Sequence, residues 1–206
     1  MTAEINLFPT TVYKTNIQSN HILKGELLSK IMRDSYSWKE QTQWRTNRII
    51  TSFGDEEYND QFFDVVSSET DLFVQYQNCF KQFFDHEFSA VIDLIWMNVY
   101  RDGEYQEQHN HITRYNTSPC HFSCVHYLSF DPLRHQPLTF VDHNLHAANA
   151  FHLEKENYRP VYSPHISEGD FIMFPTYLEH YVLPSVPTPD YPRITISMNI
   201  SIKAYK

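Results

Sequence analysis

The chain has 206 residues, 41% hydrophobic and 16% aromatic, with Phe (15) and Tyr (14) prominent, enough for one sizeable core. Its formal charge of −9 argues against a protein that grips duplex nucleic acid by neutralising phosphates. No apolar run approaches the ~20 residues needed to span a bilayer, so no membrane partner is expected. The opening Met1-Thr-Ala-Glu-Ile-Asn shows neither the basic n-region nor the small-residue cleavage site of a signal peptide, so none is expected. Cys79, Cys120 and Cys124 cannot close into a disulfide set and match neither a zinc knuckle nor a CxxC motif, so a reducing, cytoplasmic setting is expected. Histidine is the compositional oddity. Of twelve, all but His21 and His86 follow position 100.

In chain order, Leu7-Phe8-Pro9 and the Thr-Thr-Val-Tyr after it predict a short edge strand, with Pro9 at its margin. Ser19 then precedes Ile22, Leu23, Leu27, Leu28, Ile31 and Met32, a helical stripe with an N-cap. Residues 44–51 read equally as strand or loop. Leu72, Phe73, Tyr76, Phe80, Phe83 and Phe84 recur at three- and four-residue steps, a second helix with an aromatic packing face. From Ile92 the period drops to two. Residues 92–100, 122–130, 138–141, 171–174, 181–183 and 193–202 predict short strands separated by Pro, Asn, Asp and Gly. Gly103 and Gly169 mark sharp turns, and the long irregular stretch 131–165 reads as a functional lid. The expected fold is mainly β: one domain over 1–206, with a helical part (1–91) packed outside a β-sandwich core (92–206).

Two patterns carry chemistry. In His109-Asn110-His111, residues i and i+2 of a strand face the same way, so both imidazoles can meet one ion; a solvated histidine pair is the alternative. In the last strand, Ile194, Ile196, Met198, Ile200 and Ile202 share one face, while Arg193, Thr195, Ser197, Asn199 and Ser201 share the other. That polar face reads either as a solvated outer surface or as a pocket where Arg193 offers a fork to a carboxylate. A hairpin joining the neighbouring strands would bring His180 into the same cavity as Arg193.

The order Asn98-x-Tyr100-x-x-Gly103, His109-x-His111, His126-Tyr127-Leu128, Leu138-Thr-Phe140, Pro164-x-x-x-Glu168-Gly169-Asp170, Phe174-Pro175, His180 and Arg193-x-Thr195 resembles a known family. It is similar to the Fe(II)/2-oxoglutarate-dependent dioxygenase superfamily, on its prolyl-4-hydroxylase-like side. Within that superfamily it resembles a branch of oxygenases frequent in marine bacteria and their phages. The opening Leu7 to Tyr13 run also looks like that branch. The resemblance implies a double-stranded β-helix (jelly roll) that hydroxylates a small molecule or an amino-acid side chain. It implies Fe(II) as metal and 2-oxoglutarate as co-substrate. His109 matches the first metal ligand, His180 the distal ligand and Arg193 the anchor for the far carboxylate of 2-oxoglutarate. His111 falls where the family usually has Asp or Glu, so a three-histidine site is expected, with Asp142 as a less favoured substitute carboxylate. Tyr127, Asn98 and Asn199 are expected to line the co-substrate pocket. Two other functions fit the same residues: a three-histidine zinc hydratase or hydrolase, and a non-catalytic phage-type structural protein with a vestigial metal site. The other histidines, His121, His126, His135, His143, His146 and His152, are expected in loops or on the surface.

Overall fold

The structure, a computed structural model, describes residues 10–38, 49–84, 88–101, 103–112, 120–142, 160–186 and 190–204. Leu7 to Pro9, most of 44–51, the middle of the 131–165 stretch, and His143, His146 and His152 lie outside the described residues. The elements are β1 (Tyr13–Asn16), α1 (Asn20–Asp34), β2 (Ile50–Thr51), α2 (Glu56–Glu69), α3 (Leu72–Phe83), β3 (Phe88–Tyr100), β4 (Gln106–His109), β5 (Phe122–Ser129), β6 (Leu138–Val141), β7 (Val161–Tyr162), β8 (Asp170–Pro175), β9 (Glu179–Val182) and β10 (Arg193–Ala204). The strands form two antiparallel sheets, a larger one ordered β1-β8-β5-β10-β3-β2 and a smaller one ordered β4-β9-β6-β7.

Strand alternation sends alternate side chains of the larger sheet to two different cores. Cys124, Leu128, Phe171, Met173, Ile194, Ile196 and Met198 face outward and pack against the helices. Helix α1 contributes Leu23, Leu27 and Ile31 at four-residue steps, and α3 contributes Leu72, Tyr76, Cys79 and Phe80. The other face, with Val125, Tyr127, Ile172 and Phe174, meets Leu138 and Phe140 of the smaller sheet. Helices therefore cover one side of the large sheet and the small sheet covers the other. That is the jelly-roll arrangement with helices outside.

Two local readings need correction. Ser19 precedes α1, yet its hydroxyl bonds to nothing; its carbonyl accepts from the Ile22 and Leu23 amides instead. Helix α2 was not anticipated because its apolar residues are few and set among acids. Its signal lies in Asp55, whose side chain accepts from the Tyr58 amide, followed by buried Phe62 and Val66.

Gly169 opens β8 at φ +85°, and its carbonyl accepts from the Ile17 amide at 2.8 Å. A Cβ here would stand 3.0 Å from Asn20 Cβ and 3.2 Å from Asn16 Nδ2. Gly169→Ala is expected to cost about 1–3 kcal/mol, through both backbone strain and crowding. Gly25→Ala, in α1 with nothing within 4 Å of the added methyl, should instead gain about 0.5–1 kcal/mol. Denaturant unfolding of both variants measures the contrast.

His126 is buried within β5, contrary to expectation, whereas His135 lies in a loop as expected and is buried there. His126 points from β5 toward the helices. The Asn20 amide nitrogen donates to Leu128 O (3.2 Å), leaving Asn20 Oδ1 to accept from His126 Nε2–H (2.7 Å). The Tyr76 hydroxyl then donates to His126 Nδ1 (3.0 Å). Burial pushes this imidazole down to about 3, so it is neutral when folded. Below about pH 6.5 the unfolded chain takes a proton that the folded chain refuses, so stability falls by about 1.4 kcal/mol per pH unit for this group. His126→Gln should lower stability at pH 7 but flatten the loss between pH 6.5 and 4. An unchanged slope, measured by denaturant unfolding across that range, would refute this account.

Candidate metal centre

His109 ends β4 and His180 sits on β9, where the two are directly paired across the antiparallel ladder. His111 lies just beyond β4, tied down by its amide donating to Thr176 O at 2.9 Å. The three rings converge, with centroid separations of 4.2 Å (His109–His180), 5.1 Å (His111–His180) and 5.2 Å (His109–His111). Their ligating nitrogens all lie within 4.8 Å of one another, and no carboxylate joins the group among the described residues.

The partners of the rings select one tautomer. His109 Nδ1 donates to Glu107 O (2.7 Å), His180 Nδ1 to Leu178 O (2.9 Å) and His111 Nδ1 to Asn199 Oδ1 (2.8 Å). Carbonyl oxygens only accept, so Nδ1 carries the proton in each ring and Nε2 is the ligating atom. Asn199 Oδ1 also accepts from the Ser123 hydroxyl at 2.9 Å, which locks the amide that orients His111. Burial pushes His109 and His111 down to about 4 and His180 well below the usual range, with mutual repulsion adding to it for His111 and His180. All three are neutral bases at pH 7, the state a metal requires.

Arg193, the first residue of β10, is only 1% exposed. Its guanidinium lies 4.2 Å from the centre of the Tyr100 ring and 5.4 Å from that of Tyr127. Nε and Nη1 are buried with no hydrogen-bond partner. A narrow pocket is walled by Arg193, the three histidines, Asn98 and Thr195, and no acidic residue lines it among the described residues. A guanidinium buried in this way is costly unless an anion meets it. The donor set and the orphaned guanidinium together fit a divalent metal beside a carboxylate ligand.

The burial of Arg193, Thr195, Ser197 and Asn199 decides between the two readings of the β10 polar face. The polar face of β10 is enclosed between the sheets, since the helices take its apolar face. Asn98 faces the pocket wall, where its amide nitrogen donates to Ser197 Oγ (3.0 Å) and its oxygen accepts from Thr51 (2.7 Å). The Tyr127 hydroxyl accepts from the Leu138 amide at 3.2 Å, and its ring stands 5.4 Å from the Arg193 guanidinium. Contrary to expectation, neither Tyr127 nor Asn199 lines the narrow pocket, and Asn199 faces the wider cavity instead. Asp142 lines a separate cavity beside Val141 and Pro160, away from the histidines, so it is not a substitute ligand. Tyr100 and Gln106 had no assigned role, yet they are hydrogen-bonded to each other at 2.9 Å in this pocket. Tyr100 was legible, because it shares the β3 face of Asn98. Gln106 carried no signal.

A larger cavity of about 490 Å³ adjoins the centre and shares His109, His111, Trp96 and Asn98 with the narrow pocket.

A family model described as Putative 2OG-Fe(II) oxygenase matches residues 94–199. The chain belongs to this family. The matched stretch holds all three histidines and Arg193, and the cofactors of the 2OG-Fe(II) oxygenases are Fe(II) and 2-oxoglutarate. No curated protein matches the chain in sequence. Among solved structures, a prolyl-4-hydroxylase from Pseudomonas putida is 14% identical, with a TM-score of 0.55 over 93% of this chain and 92% of that one. The epimerase SnoN, solved with Fe3+, alpha ketoglutarate and nogalamycin RO, is 12% identical, with a TM-score of 0.63 over 96% of this chain and 82% of its own. A Trichoplax adhaerens prolyl hydroxylase, solved with a hypoxia inducible factor peptide fragment, is 13% identical, with a TM-score of 0.57 over 92% and 82%. At these identities the likeness is one of fold. No described helix is long and apolar enough to cross a membrane.

Proposed function

We propose that this 2OG-Fe(II) oxygenase is a hydroxylase of a small molecule or an amino-acid side chain, with Fe(II) held by His109, His111 and His180 and 2-oxoglutarate anchored by Arg193. The observation that carries this reading is the buried guanidinium with two unsatisfied nitrogens in a pocket walled by three neutral imidazoles. When bound, the iron and co-substrate supply oxygen activation, with 2-oxoglutarate oxidised to succinate and CO2.

The chain's own work is positional. Arg193 meets the far carboxylate with a planar fork, and the Tyr100 and Tyr127 rings hold that fork in place. Thr195 and Asn98 line the path between fork and histidines. The carbonyls of Glu107 and Leu178 and the amide of Asn199 keep the three Nε2 atoms aimed inward. Arg193, Thr195, Asn98 and His180 are buried, which keeps water from this part of the site and strengthens each charge contact there. Three neutral ligands leave the full dipositive charge of the metal at the site. A dianionic co-substrate would offset two of the three positive charges that the metal and Arg193 bring, without a protein carboxylate.

Three imidazoles are also the donor set of a catalytic zinc, a reading that gives Arg193 no task. Metal analysis of anaerobically purified protein, followed by succinate measurement from 2-oxoglutarate, separates the two. Iron-dependent succinate formation is the expected result. Zinc as the sole retained metal, with no succinate formed, would overturn the proposal.

A further inference from the structure

We propose that the cavity outside the metal centre takes an organic cation, a substrate that carries an ammonium or guanidinium group on an apolar stem. This rests on the reading of the adjoining histidines and Arg193 given above. The two compartments on either side of the histidines carry opposite charge. The narrow one contains Arg193 and no carboxylate, while the wider one is lined by Glu56, Asp60 and Asp93 and by no Lys or Arg among the described residues. Glu56 and Asp60 stand one helical turn apart on α2, so both side chains reach the same wall. Both are exposed at the mouth of the cavity, and neither carboxylate has an ion-pair or hydrogen-bond partner among the described residues. Asp93 faces the cavity from β3 and accepts from Ser201 Oγ at 3.0 Å, which orients it while leaving its charge unneutralised.

The rest of the wall suits the stem of such a ligand. Trp96 and Phe53 meet edge to face at 5.1 Å, and Ile49, Ile92 and Leu94 complete the apolar part. An aromatic and aliphatic wall beside carboxylates recognises a cation by charge and its stem by contact. At about 490 Å³ the cavity is sized for a small molecule or a single long side chain. The same charges answer a problem of discrimination. Free 2-oxoglutarate is a dianion, and the acidic lining repels it from the outer cavity, which leaves the compartment of Arg193 as its place. The formal charge of −9 adds long-range attraction for cations.

The test is calorimetric titration of the full chain, loaded with Zn(II) and 2-oxoglutarate, with three amino-acid amides. N-acetyl-lysine methylamide is the cationic probe, N-acetyl-norleucine methylamide its neutral counterpart, and N-acetyl-glutamate methylamide the acidic control. The cationic probe should bind at least tenfold tighter than the neutral one at low salt, and high salt should shrink that margin to under threefold. The double variant Glu56→Gln, Asp60→Asn should lose the preference while keeping the wild-type melting temperature. Equal binding of the cationic and neutral probes, no binding of any probe at millimolar concentration, or an intact preference in the double variant overturns the proposal. A separate titration of the Zn(II)-loaded wild type with 2-oxoglutarate keeps the two readings apart. Failure there removes the co-substrate assignment, whereas normal 2-oxoglutarate binding without cation preference removes only this one.

Discussion

Arg193→Met is expected to weaken 2-oxoglutarate binding by about 30- to 1,000-fold, the equivalent of ~2–4 kcal/mol for a buried charge-assisted contact. Methionine keeps the apolar stem against Tyr100 and Tyr127 but removes the fork, so packing is largely preserved. The same change should raise the stability of the protein without co-substrate. A guanidinium whose Nε and Nη1 lack partners is an uncompensated buried charge, and an apolar side chain of similar length relieves it. Loss of affinity together with gain of stability is the signature of a residue kept for its ligand. Metal affinity should change little, because no ligating atom is touched. Calorimetry with 2-oxoglutarate on the Zn(II)-loaded proteins, together with their melting temperatures without it, reads both effects. Equal affinity in the two proteins would end the anchor assignment.

The strand alternation of β10 shows how far sequence reaches and where it stops. Period two separates Ile194, Ile196 and Met198 from Arg193, Thr195 and Ser197 with no ambiguity. It cannot say which face meets water, because that depends on what covers the sheet. Here α1 and α3 take the apolar face and the small sheet encloses the polar one, so a face that reads as solvated surface becomes a pocket wall. His126 and Tyr127 make the same point on β5. They are adjacent in sequence and point to opposite cores, one into the helices and one under Arg193. The ordered motifs place His109, His180 and Arg193 in one family pattern, with His111 at its usual carboxylate position, and the structure brings all four to one pocket. The tautomers of the histidines were not legible. Two of the three depend on backbone carbonyls of Glu107 and Leu178, which residue identity does not encode.

The acidic wall of the outer cavity was hidden for a related reason. Glu56 and Asp60 belong to a helix that lacks a strong apolar stripe, and Asp93 interrupts an apolar strand. Each reads alone as a solvated charge. Only the fold places them on one cavity and opposite in sign to Arg193.

His111→Ala is expected to raise the dissociation constant for Fe(II) or Zn(II) by at least about 100-fold, since one of three ligands is lost and even an orienting partner of a ligand is worth 10- to 100-fold. At a metal concentration near 100 times the wild-type dissociation constant, binding stabilises the wild type by about 2.7 kcal/mol and this variant by about 0.4 kcal/mol. For a chain of this size that is a metal-induced rise in melting temperature of about 5–10 °C against about 1 °C. Asn199→Ala should fall between, because His111 keeps its ring but loses the acceptor at Nδ1 that holds it (2.8 Å). His111→Asp separates geometry from charge. A carboxylate adds a negative charge to a neutral ligand set, yet its shorter reach leaves it short of the ion unless the backbone held at Thr176 moves. It also leaves Asn199 Oδ1 without the imidazole N–H. The expected order of metal-induced stabilisation is wild type, then His111→Asp, then His111→Ala. If His111→Ala keeps the full rise in melting temperature, His111 is not a ligand and the three-histidine centre is wrong.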